Sequence, residues 1–330
     1  MAEQTMRTAV VLNGYGVARP GAGSEREILP WHELLLIVET AEETGYEVVF
    51  TPEIGAREAF ATLAGFAAAT REIHLATGVV PIRSRLPATM VMAAATVQDE
   101  SDGRFILGLG SRASIGETRE QVLALRALLA GGRTALDGES VGPVDVARPE
   151  GVEVPLYLAA LGPRMTELAG EVGDGVILNW CTPERVAEAR KQVARGAERA
   201  GRPPEAVTVA VYVRACLGHD DEHVAAALRE AAGQYAAMDR YRRQFGAMGL
   251  DAEAETAARA WAAGHPEHVP DALVRAVCVA GSRDDARQRL GAYREAGAGL
   301  VAVYPVPAQE AVSSTLGTVL AAAPNPAVEA

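Results

Sequence analysis

The stretch from Tyr46 to Val80, YEVVFTPEIGAREAFATLAGFAAATREIHLATGVV, decides the fold. Val48–Thr51 is a short run with no polar alternation, so it reads as a strand that must be covered on both faces. A helical pattern follows over residues 57–70, and a second apolar run, Ile73–Thr77, follows that. Strand, helix and strand within ~30 residues form a βαβ unit, which demands a parallel sheet with its helix packed outside.

The same rhythm extends in both directions. Further strands are predicted at Thr8–Leu12, Arg104–Leu109, Pro155–Ala160, Gly175–Leu178, Val207–Val213 and Leu300–Tyr304. Helices are predicted at 31–44, stopped by Gly45, and at 87–101, 117–129 and 163–172. Another is capped by Thr182 with Pro183 in its first turn and ends at Gly201. The pair Ser282 and Asp285 opens a helix that runs to Gly297, and a last helix covers 308–322. Eight βα units predict a closed (β/α)8 TIM barrel, α/β in class, as a single domain over residues 1–330. A doubly wound open sheet shares the alternation and is the alternative. Residues 131–152 suit a hairpin excursion. Residues 222–270 break the rhythm, carry Tyr235, Tyr241, Phe245 and Trp261, and read as a helical insertion after strand seven.

Composition removes several functions. The net charge is −12, from 31 Lys+Arg against 43 Asp+Glu, so the surface repels phosphate backbones and no nucleic-acid partner is expected. No apolar run approaches ~18 residues, so no membrane partner is expected either. The opening Met1–Met6 lacks a basic end and an apolar stretch, which predicts a cytoplasmic protein. Cys181, Cys216 and Cys278 form no CxxC, which argues against a disulfide framework or a zinc knuckle. His219 and His223 flank acids at a helix start, and His265 and His268 are separated by a proline. Both pairs read as solvated cap or loop, and no metal is expected.

In a barrel the chemistry lies just after each strand. Those positions hold Asn13 and Gly14, Pro52 and Glu53, Gly78 to Val80, Gly110 to Arg112, Ala160 to Pro163, and Asn179 with Trp180. Small residues and backbone donors dominate, with no nucleophile–base pair. Such a pocket suits a large planar cofactor that brings its own reactivity. Gly162-Pro163-Arg164 opens a helix directly after a strand, where free N–H groups and a guanidinium favour a phosphate; a plain strand-to-helix turn is the other reading. Glu53 is a candidate proton donor or a holder of the cofactor ring, and Trp180 a candidate wall of the substrate pocket or a core aromatic.

Residues Ala76-Thr-Gly-Val-Val-Pro-Ile-Arg-Ser-Arg-Leu-Pro87, Ala93-Ala-Ala-Thr96 and Gly103-Arg-Phe-Ile-Leu-Gly-Leu-Gly110 resemble the bacterial luciferase-like monooxygenase superfamily. Pro155-Leu-Tyr-Leu-Ala-Ala-Leu-Gly-Pro-Arg-Met165 and Gly173-Asp-Gly-Val-Ile-Leu-Asn-Trp180 resemble its branch that uses the deazaflavin coenzyme F420. The resemblance implies a barrel with the cofactor at the strand ends. It implies a cis peptide at Gly78-Val79, cofactor contacts at Gly110 and Ser111, and a grip on the ribityl-phosphate by Ala159, Ala160, Leu161, Gly162, Pro163 and Arg164. Glu53 is then the acid near the ring. The implied activity is an F420-dependent oxidoreductase passing a hydride to or from a small-molecule substrate. An FMN-dependent monooxygenase and a non-catalytic flavin-binding protein are the alternatives, and a homodimer is compatible with the insertion. Two departures stand out. Ile54 occupies the place where many relatives carry His, and the segment after Gly110 is short.

Overall fold

The computed structural model describes residues 7–18, 26–111, 113–136, 139–141, 144, 153–217, 222–308 and 310–325. Arg112 and His219 lie outside the described residues. The barrel strands are β1 (Thr8–Val11), β2 (Val48–Thr51), β3 (His74–Thr77), β4 (Phe105–Gly110), β5 (Leu156–Ala159), β6 (Gly175–Asn179), β7 (Thr208–Leu217) and β8 (Leu300–Pro305). Their order around the sheet is β5-β6-β7-β8-β1-β2-β3-β4, and β4 pairs again with β5. The fold is thus a closed eight-stranded parallel barrel with surrounding helices, and the open doubly wound sheet is excluded. Every residue of β1, β2 and β8 is buried, as runs without polar alternation require.

Helices α1 (Trp31–Glu43), α2 (Ala59–Ala69), α3 (Pro87–Glu100), α4 (Ile115–Leu129), α5 (Pro163–Val172) and α6 (Pro183–Arg199) follow the first six strands. After β7 come α7 (Glu222–Ala236), α8 (Asp239–Ala247), α9 (Asp251–Ala262), α10 (Asp271–Val277) and α11 (Arg283–Glu295), and α12 (Ala311–Ala321) follows β8. The Ser282–Asp285 capping box opens α11, and Thr182 Oγ1 accepts from Arg185 N at the start of α6. Three features escape the sequence pattern. An antiparallel pair, Tyr15–Ala18 with Arg26–Ile28, follows β1. Val80–Pro81 pairs beside β4. Cys278–Gly281 adds a parallel strand against the last residues of β7. Arg214 and Ala215 also pair with β8, and the added strand carries β7 on to Leu217, beyond the apolar run. A short antiparallel hairpin, Thr134–Leu136 with Glu139–Val141, occupies part of the 131–152 excursion.

The chain divides into two compact units. One comprises Met1–Tyr46, Leu178–Glu188 and Ala210–Ala330, the other Glu47–Ile177 and Ala189–Val209. In the second unit α5 and α6 approach backbone to backbone at two glycines. A Cβ on Gly196 would lie 1.9 Å from Glu167 O, and one on Gly170 would lie 2.2 Å from Val193 O. Glu167 then bridges the same two helices by accepting from Arg195 and Arg199, each at 3.0 Å.

Gly196→Ala is expected to lower stability by about 1–3 kcal/mol, because the added methyl forces the two backbones apart. Gly291 in α11 has open space where its Cβ would be, so Gly291→Ala is expected to raise stability by about 0.5–1 kcal/mol. Urea unfolding of the two variants beside the parent checks both signs.

Candidate active site

In the Glu47–Ile177 unit the carboxyl ends of β2, β3, β4 and β5 bring the expected residues together. Gly78 N donates to Thr51 O at 2.8 Å, and Glu53 N donates to Val79 O at 3.2 Å. The Gly78–Val79 peptide is cis. Gly110 lies beneath the Val79 side chain: a Cβ there would meet Val79 Cγ2 at 2.6 Å. Thr77 Oγ1 both donates to Gly108 O and accepts from Gly108 N, each at 2.8 Å, which ties β3 to β4. Ser111 points its hydroxyl toward the start of α4, with Thr118 Oγ1 at 2.5 Å and Ala113 N donating to it at 3.2 Å. The segment before α4 is short because Ser114 and Glu117 form a capping box that starts the helix at once.

Glu53 is not a free acid. Arg85 grips it in a fork, with Nη1 donating to Oε1 at 2.9 Å and Nη2 to Oε2 at 2.6 Å. Ala59 N donates to the same Oε2 at 3.4 Å. Arg85 also pairs closely with Glu58, whose other oxygen caps α2 by accepting from Ala61 N at 2.6 Å. The guanidinium lies 5.0 Å from the centre of the Phe60 ring. Burial pushes the Glu53 carboxyl up, but the hydrogen bonds and charge of Arg85 and the Ala59 N–H outweigh it and hold the pKa below 4.5. Glu53 is therefore ionised at neutral pH. Ile54, its neighbour, is exposed. Arg85 and Glu58 escaped the sequence reading. Arg85 stood within the motif after strand three, but its carboxylate partner lies 32 residues upstream.

The β5 end forms a cradle. Ala160 is buried, Ala159 and Leu161 half-buried, and Gly162, Pro163 and Arg164 exposed. Gly162 caps α5 without a side-chain hydrogen bond, and nothing lies within 4 Å of where its Cβ would be. An uncapped helix start beside the exposed Arg164 side chain suits a phosphate.

The other unit holds Trp180, only 1% exposed and left-handed at φ 55°. The carbonyls on either side of it are bound. Gln244 Nε2 of α8 donates to Asn179 O at 2.5 Å and to Trp180 O at 2.8 Å, and the Tyr293 hydroxyl donates to Cys181 O at 2.7 Å. Asn179 Nδ2 donates to the Tyr241 hydroxyl at 2.9 Å, and Asn13 Nδ2 to the Tyr304 hydroxyl at 3.1 Å. Arg214 joins this group from within β7, where its charge interrupts an apolar run. That interruption was the signal available in the sequence. Burial pushes the Cys181 and Cys278 thiols up to about 12, which removes them as nucleophiles. The exposed turn holding His265, Glu267 and His268 lies in this unit, with a 2.9 Å hydrogen bond between His265 and Glu267. Among the described residues no helix is long and apolar enough to cross a membrane.

The sequence profile of the luciferase-like monooxygenase family matches residues 6–299. The chain therefore belongs to the luciferase-like monooxygenase family. A 5,10-methylenetetrahydromethanopterin reductase of Methanolobus tindarius is 36% identical over 198 residues, 55% of this chain and 60% of that relative. An F420-dependent glucose-6-phosphate dehydrogenase of Beutenbergia cavernae is 30% identical over 242 residues, 63% of this chain and 70% of that relative. Among solved structures, the coenzyme F420-dependent tetrahydromethanopterin reductase of Methanopyrus kandleri superposes with a TM-score of 0.76 at 18% identity, covering 96% of this chain and 98% of that one.

A depressed carboxylate pKa contributes stability that is present above the unfolded value and is lost as pH falls through the folded one. The stability gap between the parent and Glu53→Gln is therefore expected to be largest at neutral pH and to shrink as pH falls below about 4.5. Urea midpoints measured across that range check it. A gap independent of pH contradicts the ionised pair.

Proposed function

We propose that the protein is an F420-dependent oxidoreductase acting on a small organic substrate. The observation that carries this reading is the open cradle at Ala159–Arg164, in a chain of the luciferase-like family whose relatives include proteins named for F420. The cradle fits a ribityl-phosphate: it offers a helix N-terminus, one guanidinium and, among the described residues, no side chain within 4 Å of the Gly162 Cβ position. Gly78, Val79, Gly110 and Ser111 line the strand ends beside it and would hold the ring. When bound, the deazaflavin supplies a hydride to the substrate or takes one from it.

The chain's own residues do the rest. Arg164 and the start of α5 anchor the phosphate. Val79, set against Gly110, would offer an apolar surface to the ring and help exclude water there. Glu53, ionised and forked by Arg85, is a poor proton donor near pH 7, because an effective general acid has a pKa close to the working pH. In this reading Glu53 acts by holding Arg85 over the Phe60 face, and so fixes a closed ion-pair cluster at the mouth. Glu53→Gln is then expected to loosen the guanidinium, which Glu58 still holds, and Arg85→Met to remove it, so the second variant has the larger effect.

Equilibrium titration with F420 and, separately, with FMN tests the cofactor. F420 is expected to bind more tightly, and Arg164→Met to weaken it about tenfold, the usual loss for one charge-assisted contact. Equal or tighter FMN binding with oxygen-consuming turnover transfers the protein to the monooxygenase reading. Tight binding with no turnover of the reduced cofactor by any substrate tried supports the non-catalytic one.

A further inference from the structure

The ends of β6 and β7 hold a buried positive charge that no described carboxylate pairs with. Arg214 is 3% exposed. Its guanidinium lies 3.7 Å from the ring centre of Tyr304, 4.7 Å from Trp180 and 5.2 Å from Tyr235. Its hydrogen bonds go to neutral oxygens, Asn179 Oδ1 at 2.6 Å and the Tyr235 hydroxyl at 3.3 Å. Among the described residues no carboxylate pairs with it. An unanswered charge out of water is strongly unfavourable, and ring faces offset only part of that. A second donor lies beside it: Trp180 Nε1 is buried and has no hydrogen-bond partner among the described residues.

Guanidinium and indole N–H are both donors, so what the cluster lacks is an acceptor carrying negative charge. A planar fork prefers an acceptor with two or more oxygens. We propose that Arg214, with Trp180 Nε1, receives an acidic group of the substrate, a carboxylate or a phosphate, so that this enzyme takes anionic substrates. The inference rests on the oxidoreductase reading for the word substrate, but not for the binding itself. In a chain of net charge −12, an anion finds few favourable places, which makes one buried arginine a selective anchor. Tyr235 of α7 and Tyr241 of α8 pack edge to face at 4.7 Å over this group. A bound oxyanion is thereby shielded from water, where its pairing with a guanidinium is strong.

The test uses the full chain without cofactor. It is titrated with inorganic phosphate and with citrate at constant ionic strength, chloride being the balancing salt. The parent is expected to show a saturable change in tryptophan fluorescence and a rise in Tm, because a ligand of the folded state stabilises it. Trp180→Phe should lose the fluorescence change. Arg214→Met keeps the stem and removes the charge, and its anion affinity is expected to fall at least tenfold with an unchanged circular dichroism spectrum. Arg214→Lys keeps the charge without the fork and should fall between them. It also serves if the Met variant does not fold. No saturable response in the parent, or equal responses in the parent and both variants, overturns the proposal. F420 affinity that falls in Arg214→Met as far as the anion affinity does assigns the arginine to the cofactor's own phosphate and also overturns it. A parent that fails to bind F420 refutes the cofactor reading alone, since the anion titration is made without it.

Discussion

The backbone of β4 passes so close to the end of β3 that a Cβ on Gly108 would lie 2.0 Å from Thr77 O. Only glycine permits that approach, and the Thr77 hydroxyl fastens it from both sides. Everything at the mouth of this unit is set by it. Gly78 and Val79 leave β3 at a fixed height, Gly110 meets the Val79 side chain, and Glu53 is tied through its own N–H to Val79 O. Strands buried on both faces leave no room for chemistry along their length, so the chemistry gathers where they end.

Two arginines are held by different means. Arg85 is 16% exposed and is answered by two carboxylates, one of which also starts a helix. Arg214 is almost wholly buried and is surrounded by rings and amides. The first arrangement is satisfied within the protein and is saturated as an ion pair. The second is satisfied in its geometry but not in its charge. That contrast separates a residue that organises the mouth from one that is ready to receive something.

The barrel was legible because its signal is local: runs such as Val48–Thr51, helices closed by glycine, and capping pairs such as Ser282 with Asp285. The strand-end positions Glu53, Gly78, Gly110 and Gly162 follow from that register alone. What escaped depends on distance in the chain. No local pattern links Arg85 to Glu53, or Gln244 to the carbonyls of Asn179 and Trp180, 65 and 64 residues away. The strand Cys278–Gly281 is four residues between two helices and exists only because β7 offers it an edge. Arg214 ended the apolar run expected of β7, although the backbone pairs straight through it. A charge in a strand reads as its end unless the tertiary surroundings supply rings and amides to house it.

The crossing of α5 and α6 has a mechanical consequence. Most helices meet through side chains, whose rotamers act as a cushion and let each partner shift a little alone. Between Gly170 and Val193, and between Gly196 and Glu167, carbonyl faces stand where that cushion would be. With nothing soft between them, the contacting turns of the two helices share one displacement. The α5 start, with its open glycine, therefore inherits the stiffness of a much longer piece of chain, and its slow excursions are those of the pair.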